Sequence, residues 1–415
     1  MKNYVIIGNG TAAAGCLEGI RSVDKEASVT IISEESRHVY SRPLISYYLE
    51  GKTDLHRMLY RPYDFYEKNN CKVLYSLRAE RIDPAQKKVL LSDGSQLSYD
   101  ALCVATGSVP FVPDIKGLEG VGKKFTFMTL DDALAIEGEV SKDSRVLILG
   151  AGLIGLKAAE GLHKRAGSIS VTDISGHVLP SILDEECAAL VRSRFEQEGV
   201  SFLLGESVAM FDSNVAVMSD GRQIQFDILI MAAGVRPNAK LVRNAGGACG
   251  RGIAVDEHMR TSLPDIYAAG DCTESLDVSD NTIKVMALLP NAYMQGHSAG
   301  INMAGGESVF DKAIPMNSIG FFGLHIMTAG NRTAPAEGGE AYEEITDKGI
   351  KKLYVKDGRL VGFVLVGEVD RAGIYTDLIR SGTPLEKVDF ERLKKNPDLF
   401  ALDAKFREQR LGGVV

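Results

Sequence analysis

One sequence pattern occurs twice in this chain of 415 residues and constrains its fold more than any other feature. In each copy a short apolar run leads into a turn of the form G-x-G-x-x-G or G-x-G-x-x-A, and a helical stretch follows. The first copy occupies residues 4–23 and the second residues 145–164. In such a turn the first glycine allows a sharp bend, the second lets the backbone approach a pyrophosphate, and the third small residue permits close helix–strand packing. Two copies therefore predict two dinucleotide-binding sites on parallel sheets.

The first turn is followed by a strand at residues 28–32 that ends in two carboxylates. The helix after the turn offers free N–H groups and a partial positive charge to phosphates. Glu34 lies about 20 residues beyond the turn, which is the usual distance for a carboxylate that binds ribose hydroxyls. We therefore expect the first cofactor to contact Gly8, Gly10, Thr11, Ala12, Ala13, Glu34 and Glu35.

The second turn is followed by a strand at residues 168–172 that ends at Asp173. A carboxylate here accepts a hydrogen bond from a free ribose 2′-hydroxyl and repels a 2′-phosphate, and residues 174–176 contain no arginine to neutralise one. This site is therefore predicted to prefer NAD(H) to NADP(H), with contacts from Gly150, Gly152, Leu153, Ile154, Gly155 and Asp173. Two such sites suggest a flavin held permanently and a nicotinamide that visits, because cofactors of this kind carry the hydride and electron chemistry.

Composition narrows the classes of function. A net charge of −8 and a pI near 5.5 argue against a general binder of nucleic acid or of anionic membranes. There is no signal-peptide pattern and no apolar stretch of about 18–20 residues, so we expect a cytoplasmic protein without a membrane span. The six cysteines are scattered, without a C-x-x-C pair or a grouping with histidine, and are interpreted as reduced thiols with no metal site.

Further segments resemble the FAD-dependent pyridine nucleotide–disulfide oxidoreductase superfamily, and most closely its rubredoxin reductase and nitrite reductase flavodomain branch. They are Ala-Thr-Gly at 105–107, the stretch 232–238, Asp-Ile-Tyr-Ala-Ala-Gly-Asp at 265–271, and the stretches 361–363 and 371–375. The resemblance implies that the helix after Asn291, a natural N-cap, points at the flavin ring. It also implies an NAD site with Ala233 and Gly234, and an FAD site with Arg42, Pro43, Ala79, Ala105, Thr106, Gly107, Gly270, Asp271, Asn291 and Ala292.

The expected fold class is α/β, with two Rossmann-like dinucleotide-binding domains of the glutathione-reductase-like FAD/NAD(P) type and a small C-terminal α+β domain. The FAD-binding domain is expected to be split between residues 1–110 and 239–310, around an NAD-binding domain at 111–238. The α+β domain is expected at 311–385, where Asp357 and Gly358 form a hairpin signal. Residues 386–415 are a charged tail, expected to be solvated unless one of its apolar faces docks.

The segment around Arg42 decides the class of electron acceptor. In cysteine-dependent relatives of the superfamily a redox cysteine occupies this stretch, whereas the nearest cysteines here are Cys16 and Cys71. Without a thiolate beside the flavin there is no sulfur relay, so electrons must pass directly to a docked acceptor or to oxygen. The resemblance implies that Arg42 is a catalytic cation that stabilises charge on the reduced flavin. The alternative is that Arg42 and Pro43 form a surface turn before the next helix.

Lys157 departs from the pattern of the superfamily, most of whose members carry glutamate at this position, over the nicotinamide pocket. We predict that Lys157 still lines that pocket and acts in catalysis. The i,i+3 spacing allows an ion pair with Glu160. The alternative is an outward-facing lysine whose stem lies along the protein surface.

Together these features predict an enzyme, an NAD(P)H-dependent flavoprotein oxidoreductase that passes electrons from NADH through FAD to a small redox protein. The acceptor would be a rubredoxin or a ferredoxin-like iron–sulfur protein or subunit, with the reaction running in either direction. One alternative is an NADH oxidase that uses O2 directly, and a second is a redox-sensing flavoprotein that does not turn over. A third is a cysteine-dependent disulfide reductase that uses Cys71 or Cys272.

Overall fold

The computed structural model describes residues 2–311, 313–404, 407 and 408. Tail residues 405, 406 and 409–415, which belong to the predicted charged tail, lie outside the described residues. The described residues form two compact units. The first lies within Met1–Ile174, Glu206–Leu276 and Ile283–Ala313, and the second within Ser175–Gly205, Asp277–Thr282 and Ile314–Val415.

The first parallel sheet begins at the N-terminus. Its continuous apolar runs are buried on both faces, as is typical of strands in a parallel sheet. The elements in chain order are β1 (Asn3–Ile7), α1 (Thr11–Val23), β2 (Ser28–Ile32), α2 (Leu44–Glu50), α3 (Phe65–Lys68), β3 (Cys71–Leu74), β4 (Ala79–Asp83), β5 (Lys88–Leu91), β6 (Gln96–Ser98), β7 (Ala101–Val104) and β8 (Ser108–Pro110). Strand β1 pairs in parallel with β2 and β7, β2 pairs with β3, and β4, β5 and β6 form a separate antiparallel sheet.

The second copy of the sequence pattern builds a second parallel sheet. The elements are β9 (Lys124–Thr126), α4 (Leu130–Glu139), β10 (Arg145–Leu149), α5 (Leu153–Leu162), β11 (Ser168–Asp173), α6 (Glu185–Gln197), β12 (Val200–Leu204), β13 (Val208–Asp212), β14 (Val215–Met218), β15 (Gln223–Gln225), β16 (Ile228–Met231) and β17 (Val235–Pro237). In the first unit the strand order is β11-β10-β16-β9, while α6 and β12 belong to the second unit. Strands β17 and β8 pair antiparallel, so the chain leaves and re-enters the first sheet's domain side by side.

The chain then returns to the first sheet. The elements are α7 (Lys240–Asn244), β18 (Ile253–Ala254), β19 (Ile266–Ala268), β20 (Thr273–Asp277), β21 (Thr282–Lys284) and α8 (Leu289–Met303). Strand β19 adds in parallel to β7, which completes the order β19-β7-β1-β2-β3. Helices α1 and α8 pack closely because their contact is made of glycines: a Cβ on Gly15 would lie 2.4 Å from the carbonyl oxygen of Tyr293, and one on Gly296 would lie 2.0 Å from that of Ala12.

The C-terminal part of the second unit is a five-stranded antiparallel sheet, in the order β22-β23-β26-β25-β24, with a helix packed on it. The elements are β22 (Met316–Phe321), β23 (Leu324–Gly330), β24 (Gly339–Thr346), β25 (Gly349–Lys356), β26 (Arg359–Val366), α9 (Gly373–Ser381) and α10 (Phe390–Lys395). The predicted hairpin at Asp357 and Gly358 is confirmed, since both residues have positive φ and join β25 to β26. The predicted α/β fold class is confirmed as well.

The expectation of a solvated tail holds only in part for residues 388–402, where most charged residues are exposed but several apolar residues are buried. Leu393, Ala401 and Leu402 are buried in the core of the C-terminal sheet and helix. The hydroxyl of Tyr375 on α9 donates to the carbonyl of Leu393, and an isolated bridge joins Val388 to Leu402. The apolar face that the sequence left open therefore docks on the chain's own body, because it covers the apolar side of α9.

Candidate functional site

A cavity of about 1170 Å³ lies in the first unit, at the carboxyl ends of the parallel strands of the first sheet. Ligands of α/β proteins bind at this end of a parallel sheet. Its volume exceeds the roughly 300–1,000 Å³ that is typical of small-molecule sites, which suits a dinucleotide. The wall combines the first glycine turn, residues 33–38 after β2, and residues 105–110 after β7.

The first glycine turn has the shape that a pyrophosphate requires. Gly8 has φ of +109°, and a Cβ there would lie 2.1 Å from the carbonyl oxygen of Ala105, so only glycine fits. A Cβ on Gly10 would meet nothing within 4 Å, and Gly10 lines the cavity, so the space beside it is left for a ligand. Helix α1 begins at Thr11 without a side-chain cap, which leaves its first N–H groups for phosphate oxygens.

The second glycine turn repeats this geometry. Gly150 has φ of +114°, and a Cβ there would lie 2.2 Å from the carbonyl oxygen of Ala232. Gly152 is open on its Cβ side, and α5 also begins without a side-chain cap. By contrast, Thr129 and Asp184 cap α4 and α6 with their side chains. The Asp173 carboxylate lies against the turn, where its Oδ2 accepts from the backbone N–H of Ala151 at 2.7 Å.

The structure brings most predicted FAD residues to the cavity. Those on its wall are Gly8, Gly10, Glu34, Glu35, Arg42, Ala79, Ala105, Thr106, Gly107 and Asp271. Those not on the wall are Thr11, Ala12, Ala13, Pro43, Gly270, Asn291 and Ala292. Residues 233 and 234 of the predicted NAD site follow β16, and Gly234 has φ of +110°.

The prediction of Asn291 as an N-cap is wrong. Helix α8 begins at Leu289, two residues before Asn291, with Leu288 as its cap residue and Pro290 in the first turn. Proline suits this place because its missing N–H would have no partner in the first turn of a helix. Asn291 is fully buried within the helix.

Asp271 lies on the cavity wall at the end of the loop that follows β19. Burial raises the pKa of its carboxyl, against hydrogen bonding from Ser108 and the positive charge of Arg42, which lower it. Ser108 Oγ donates to Asp271 Oδ2 at 3.4 Å. A partly desolvated carboxylate in this position is suited to accept hydrogen bonds from the hydroxyls of a ligand.

Arg42 is held by groups from two parts of the chain. Its Nη2 donates to Glu35 Oε1, and its Nη1 donates to the carbonyl of Met128 at 3.1 Å. Tyr40 donates its hydroxyl proton to Glu35 Oε2 at 2.7 Å and accepts from the N–H of Leu130 at 2.8 Å. Burial lowers the pKa of Arg42, but Tyr40 and Glu35 raise it by more, so the guanidinium stays charged. Arg42 and Pro43 do form a turn directly before α2, as the alternative expected, but the guanidinium of Arg42 is an anchored cation on the cavity wall.

Lys157 points inward, so the outward-facing alternative is wrong. Its Nζ lies 2.6 Å from Glu160 Oε2 and 4.9 Å from the ring centroid of Tyr47, and only 14% of its side chain is exposed. The ion pair that the spacing allowed is present. Tyr47 belongs to α2, which packs on α5, so the cluster joins the Arg42 segment to the second dinucleotide turn. Lys157 does not line the cavity, and its role at the nicotinamide stays a prediction.

The six cysteines are free thiols in the structure. Burial raises the pKa of Cys71 to about 12, and burial likewise raises that of Cys272 to about 12. Since the thiolate is the reactive form of cysteine, neither side chain is prepared for a thiol relay near neutral pH.

The predictions from the sequence missed several candidate functional residues. Gln295 is 2% exposed and accepts from the N–H of Gly270 next to Asp271, and Arg37, His38, Asp131 and Lys240 lie on the cavity wall. The sequence did offer a signal for Gln295, because a glutamine four residues after Asn291 lies on the same face of a helix rich in small residues. The others are brought together only by tertiary packing and carry no local motif.

Comparison with known proteins decides the family. A family model described as pyridine nucleotide-disulphide oxidoreductase matches residues 2–296, and one described as rubredoxin NAD+ reductase C-terminal domain matches residues 315–383. The chain belongs to the pyridine nucleotide-disulphide oxidoreductase family. This confirms the family to which the sequence motifs pointed, in its rubredoxin reductase-like branch.

Two relatives resemble this family member over most of its length. The NADH-dependent phenylglyoxylate dehydrogenase subunit epsilon of Aromatoleum evansii is 31% identical over 92% of this chain and 92% of its own. The NADH oxidase of Methanocaldococcus jannaschii is 33% identical over 88% of this chain and 87% of its own. The crystal structure of a covalent putidaredoxin reductase–putidaredoxin complex has the same fold, with a TM-score of 0.86 and 24% identity, covering 95% of this chain and 99% of that chain.

Membership of the pyridine nucleotide-disulphide oxidoreductase family confirms the predicted class of enzyme and cofactors. The chain is an NAD(P)H-dependent flavoprotein oxidoreductase, and its cofactors are FAD and NAD(H). The residues of the structure fit them, because each glycine turn leaves its open Cβ side and its uncapped helix for a pyrophosphate. Within the described residues, the helices are all too short or too polar to cross a bilayer.

Proposed function

We propose that this flavoprotein takes electrons from NADH and passes them to a small redox protein, a rubredoxin or a ferredoxin-like iron–sulfur protein or subunit. FAD, when bound, supplies the chemistry that links a two-electron hydride donor to a one-electron acceptor. The observation that carries the proposal is the presence of two glycine turns of the same geometry in one compact unit, with an anchored arginine beside the first.

We assign FAD to residues 1–110 and 239–310 and NAD(H) to residues 111–238. Gly8, Gly10 and the N-terminus of α1 would bind the FAD pyrophosphate, and Asp271 would accept hydrogen bonds from the hydroxyls of its ribityl chain. Gly150, Gly152 and the N-terminus of α5 would bind the NADH pyrophosphate, and Asp173 would select a ribose without a 2′-phosphate. Support comes from the open Cβ sides of Gly10 and Gly152.

Arg42 would hold a positive charge on the cavity wall, where it would stabilise negative charge that develops on the reduced cofactor. It is suited to this role because a guanidinium stays protonated and because Glu35 and the carbonyl of Met128 fix its position. Lys157 would line the nicotinamide site from α5, held in place by Glu160. Both roles follow from placement and charge, and neither requires a sulfur relay.

The relatives favour a protein acceptor. One is a subunit of an NADH-dependent dehydrogenase, and the C-terminal family model is named for rubredoxin reductase. In a dehydrogenase complex of this kind the chain would be the NAD-linked subunit. The reduction potential of the partner would set the direction in which electrons run. We place the protein in the cytoplasm, in keeping with six free and mostly buried cysteines.

Stopped-flow absorbance tests the proposal. The FAD-loaded enzyme is reduced by one equivalent of NADH without oxygen and is then mixed with rubredoxin, with a ferredoxin or with air-saturated buffer. We expect fast reduction by NADH, slower reduction by NADPH, and reoxidation that is faster with a redox protein than with air. Asp227→Asn, which breaks an exposed ion pair with Arg145, is the matched control and should behave as the wild type.

The second candidate is an NADH oxidase, favoured by the Methanocaldococcus jannaschii relative. It would be supported if air reoxidised the reduced enzyme over many turnovers faster than any redox protein, with stoichiometric peroxide or water. A single reduction followed by a stall with every acceptor would instead indicate a redox sensor. Alkylation of Cys71 or Cys272 only after NADH is added would indicate a disulfide reductase.

A further inference from the structure

Two neighbouring glutamates follow β2, and the structure gives them different surroundings. Both oxygens of the Glu35 carboxylate accept hydrogen bonds, Oε1 from Arg42 and Oε2 from Tyr40. Glu34 has a side chain that is 70% exposed, and its ion pair with Arg78 is long, at 3.7 Å. The oxygens of Glu34 are thus open toward the cavity and solvent, whereas those of Glu35 are engaged inside the protein.

The bonds of Glu35 continue to helix α4. The Tyr40 hydroxyl accepts from the N–H of Leu130, the first residue of that helix, at 2.8 Å. Arg42 donates to the carbonyl of Met128, two residues before Leu130, at 3.1 Å. Glu35 is therefore the centre of a network that fixes Arg42 between the end of β2 and the start of α4.

We propose that Glu35 is a positioning residue that acts by holding the Arg42 guanidinium on the cavity wall, and that it is not a ribose ligand of the dinucleotide. Tyr40 supports it by binding its second oxygen. The inference rests on the proposed function, because the position of Arg42 matters only if the cavity holds the flavin.

The physical reason is that a partly buried arginine depends for its position on the carboxylate to which it is hydrogen-bonded; Asp271 acts on Arg42 only through its charge. A charge-assisted hydrogen bond is about twice as strong as a neutral one and also fixes direction. Burial raises the pKa of Tyr40, so its hydroxyl keeps its proton and donates to Glu35. Without the carboxylate, Arg42 would keep the carbonyl of Met128 as an acceptor, and it would be free to turn toward solvent.

The test is a double-mutant cycle on the FAD-loaded enzyme with Glu35→Gln, Arg42→Met and the two combined. Two quantities are measured: the midpoint potential of the flavin by dye-coupled reduction, and the affinity of the apo-protein for FAD by fluorescence quenching. Asp227→Asn serves as the control, since it removes an exposed arginine–carboxylate pair that does not line the cavity, and it should change neither quantity.

We expect Arg42→Met to lower the midpoint potential, and Glu35→Gln to lower it in the same direction. In equilibrium terms, flavin reduction should become roughly tenfold less favourable in Glu35→Gln, the scale of one charge-assisted bond. In the Arg42→Met background the effect of Glu35→Gln should vanish. FAD affinity should change far less than the potential. Tyr40→Phe, which leaves the Glu35 charge in place, should give a smaller shift of the midpoint potential with the same sign. It replaces Glu35→Gln in the test if that variant does not fold.

Other outcomes overturn the inference. Weaker FAD binding by Glu35→Gln in both backgrounds would make Glu35 a ribose ligand. A raised potential in both backgrounds would mean that its charge acts directly on the flavin. If Arg42→Met shifts the potential and Glu35→Gln does not, only the inference fails, whereas an unchanged potential in Arg42→Met removes the proposed role of Arg42 as well. None of these readouts depends on the identity of the electron acceptor.

Discussion

Gln295 Oε1 accepts a hydrogen bond from the backbone N–H of Gly270 at 2.8 Å. The Nε2 of the Gln295 side chain donates a hydrogen bond to Ser275 Oγ at 3.2 Å. Gln295 is almost fully buried. One side chain of α8 therefore holds both ends of the short segment that contains Asp271. The carboxylate predicted to bind the ribityl chain of FAD depends for its position on a glutamine in another element.

Replacing Gln295 by leucine keeps the size of the side chain and removes the acceptor of Gly270. A buried donor left without a partner costs about 1–3 kcal/mol, and we expect the free energy of unfolding of the apo-protein to fall by this amount. The looser segment should also retain less FAD on gel filtration. Urea unfolding and flavin absorbance measure the two effects. Gln197→Leu, on the exposed end of α6, should change neither, and full FAD retention by Gln295→Leu would contradict the positioning role.

The two glycines of the first turn should respond differently to alanine. Gly8 has positive φ, and a Cβ would collide with Ala105, so Gly8→Ala should destabilise the apo-protein by at least the roughly 1–3 kcal/mol of a strained backbone. Gly10 has φ of −104° and free space at its Cβ, so Gly10→Ala should fold normally and lose FAD affinity. Unfolding curves and FAD titrations separate the two effects. Normal FAD binding by Gly10→Ala would show that the pyrophosphate lies elsewhere.

Asp271 should make the apo-protein less stable as the pH rises. Burial raises the pKa of its carboxyl in the folded state, so the folded protein binds this proton more tightly than the unfolded chain does. The contribution to stability is present below the unfolded pKa of about 4 and is lost as the pH rises through the higher folded pKa. Asp271→Asn should therefore stabilise the apo-protein at neutral pH relative to the wild type, with a difference that disappears in acid. Unfolding free energies across that range measure it, and a pH-independent difference would contradict it.

The sequence predicts the two dinucleotide turns well because their signal is local. The apolar runs, the glycines and the helices follow one another directly. The predicted strand at residues 28–32 has the bounds of β2, and the second copy of the pattern, predicted from residue 145, begins with β10. The hairpin at Asp357 and Gly358 is predicted for the same reason, since two adjacent residues that tolerate positive φ are enough to specify it.

What the sequence could not predict depends on contacts between distant segments. The sequence does not distinguish the roles of Glu34 and Glu35. Only the hydrogen bonds that Tyr40 and Arg42 donate to Glu35 separate the two residues. The apolar face that includes Leu393 is compatible with docking or with solvent until α9 is in place. Asn291 is a good cap by residue type, yet Pro290 also fits the first turn, and the helix begins earlier.

Variants of Lys157 and Glu160 can separate an effect on stability from an effect on the nicotinamide site. Both side chains are largely buried, so Lys157→Met leaves the Glu160 carboxylate without its lysine and should cost roughly 3–5 kcal/mol of unfolding free energy. Adding Glu160→Gln removes the second charge and should recover most of that loss. The exposed pair of Arg192 and Glu196 on α6 is the matched control, and the same two changes there should cost about 0.3–0.5 kcal/mol.

The double variant of Lys157 and Glu160 then tests the nicotinamide site in a folded protein. If Lys157 lines that site, the KM for NADH should rise and flavin reduction should slow, because the cation that α5 presents is gone. Stopped-flow reduction at several NADH concentrations separates binding from the rate of hydride transfer. A double variant with wild-type stability and wild-type reduction kinetics would mean that the lysine only joins α5 to α2 through Tyr47.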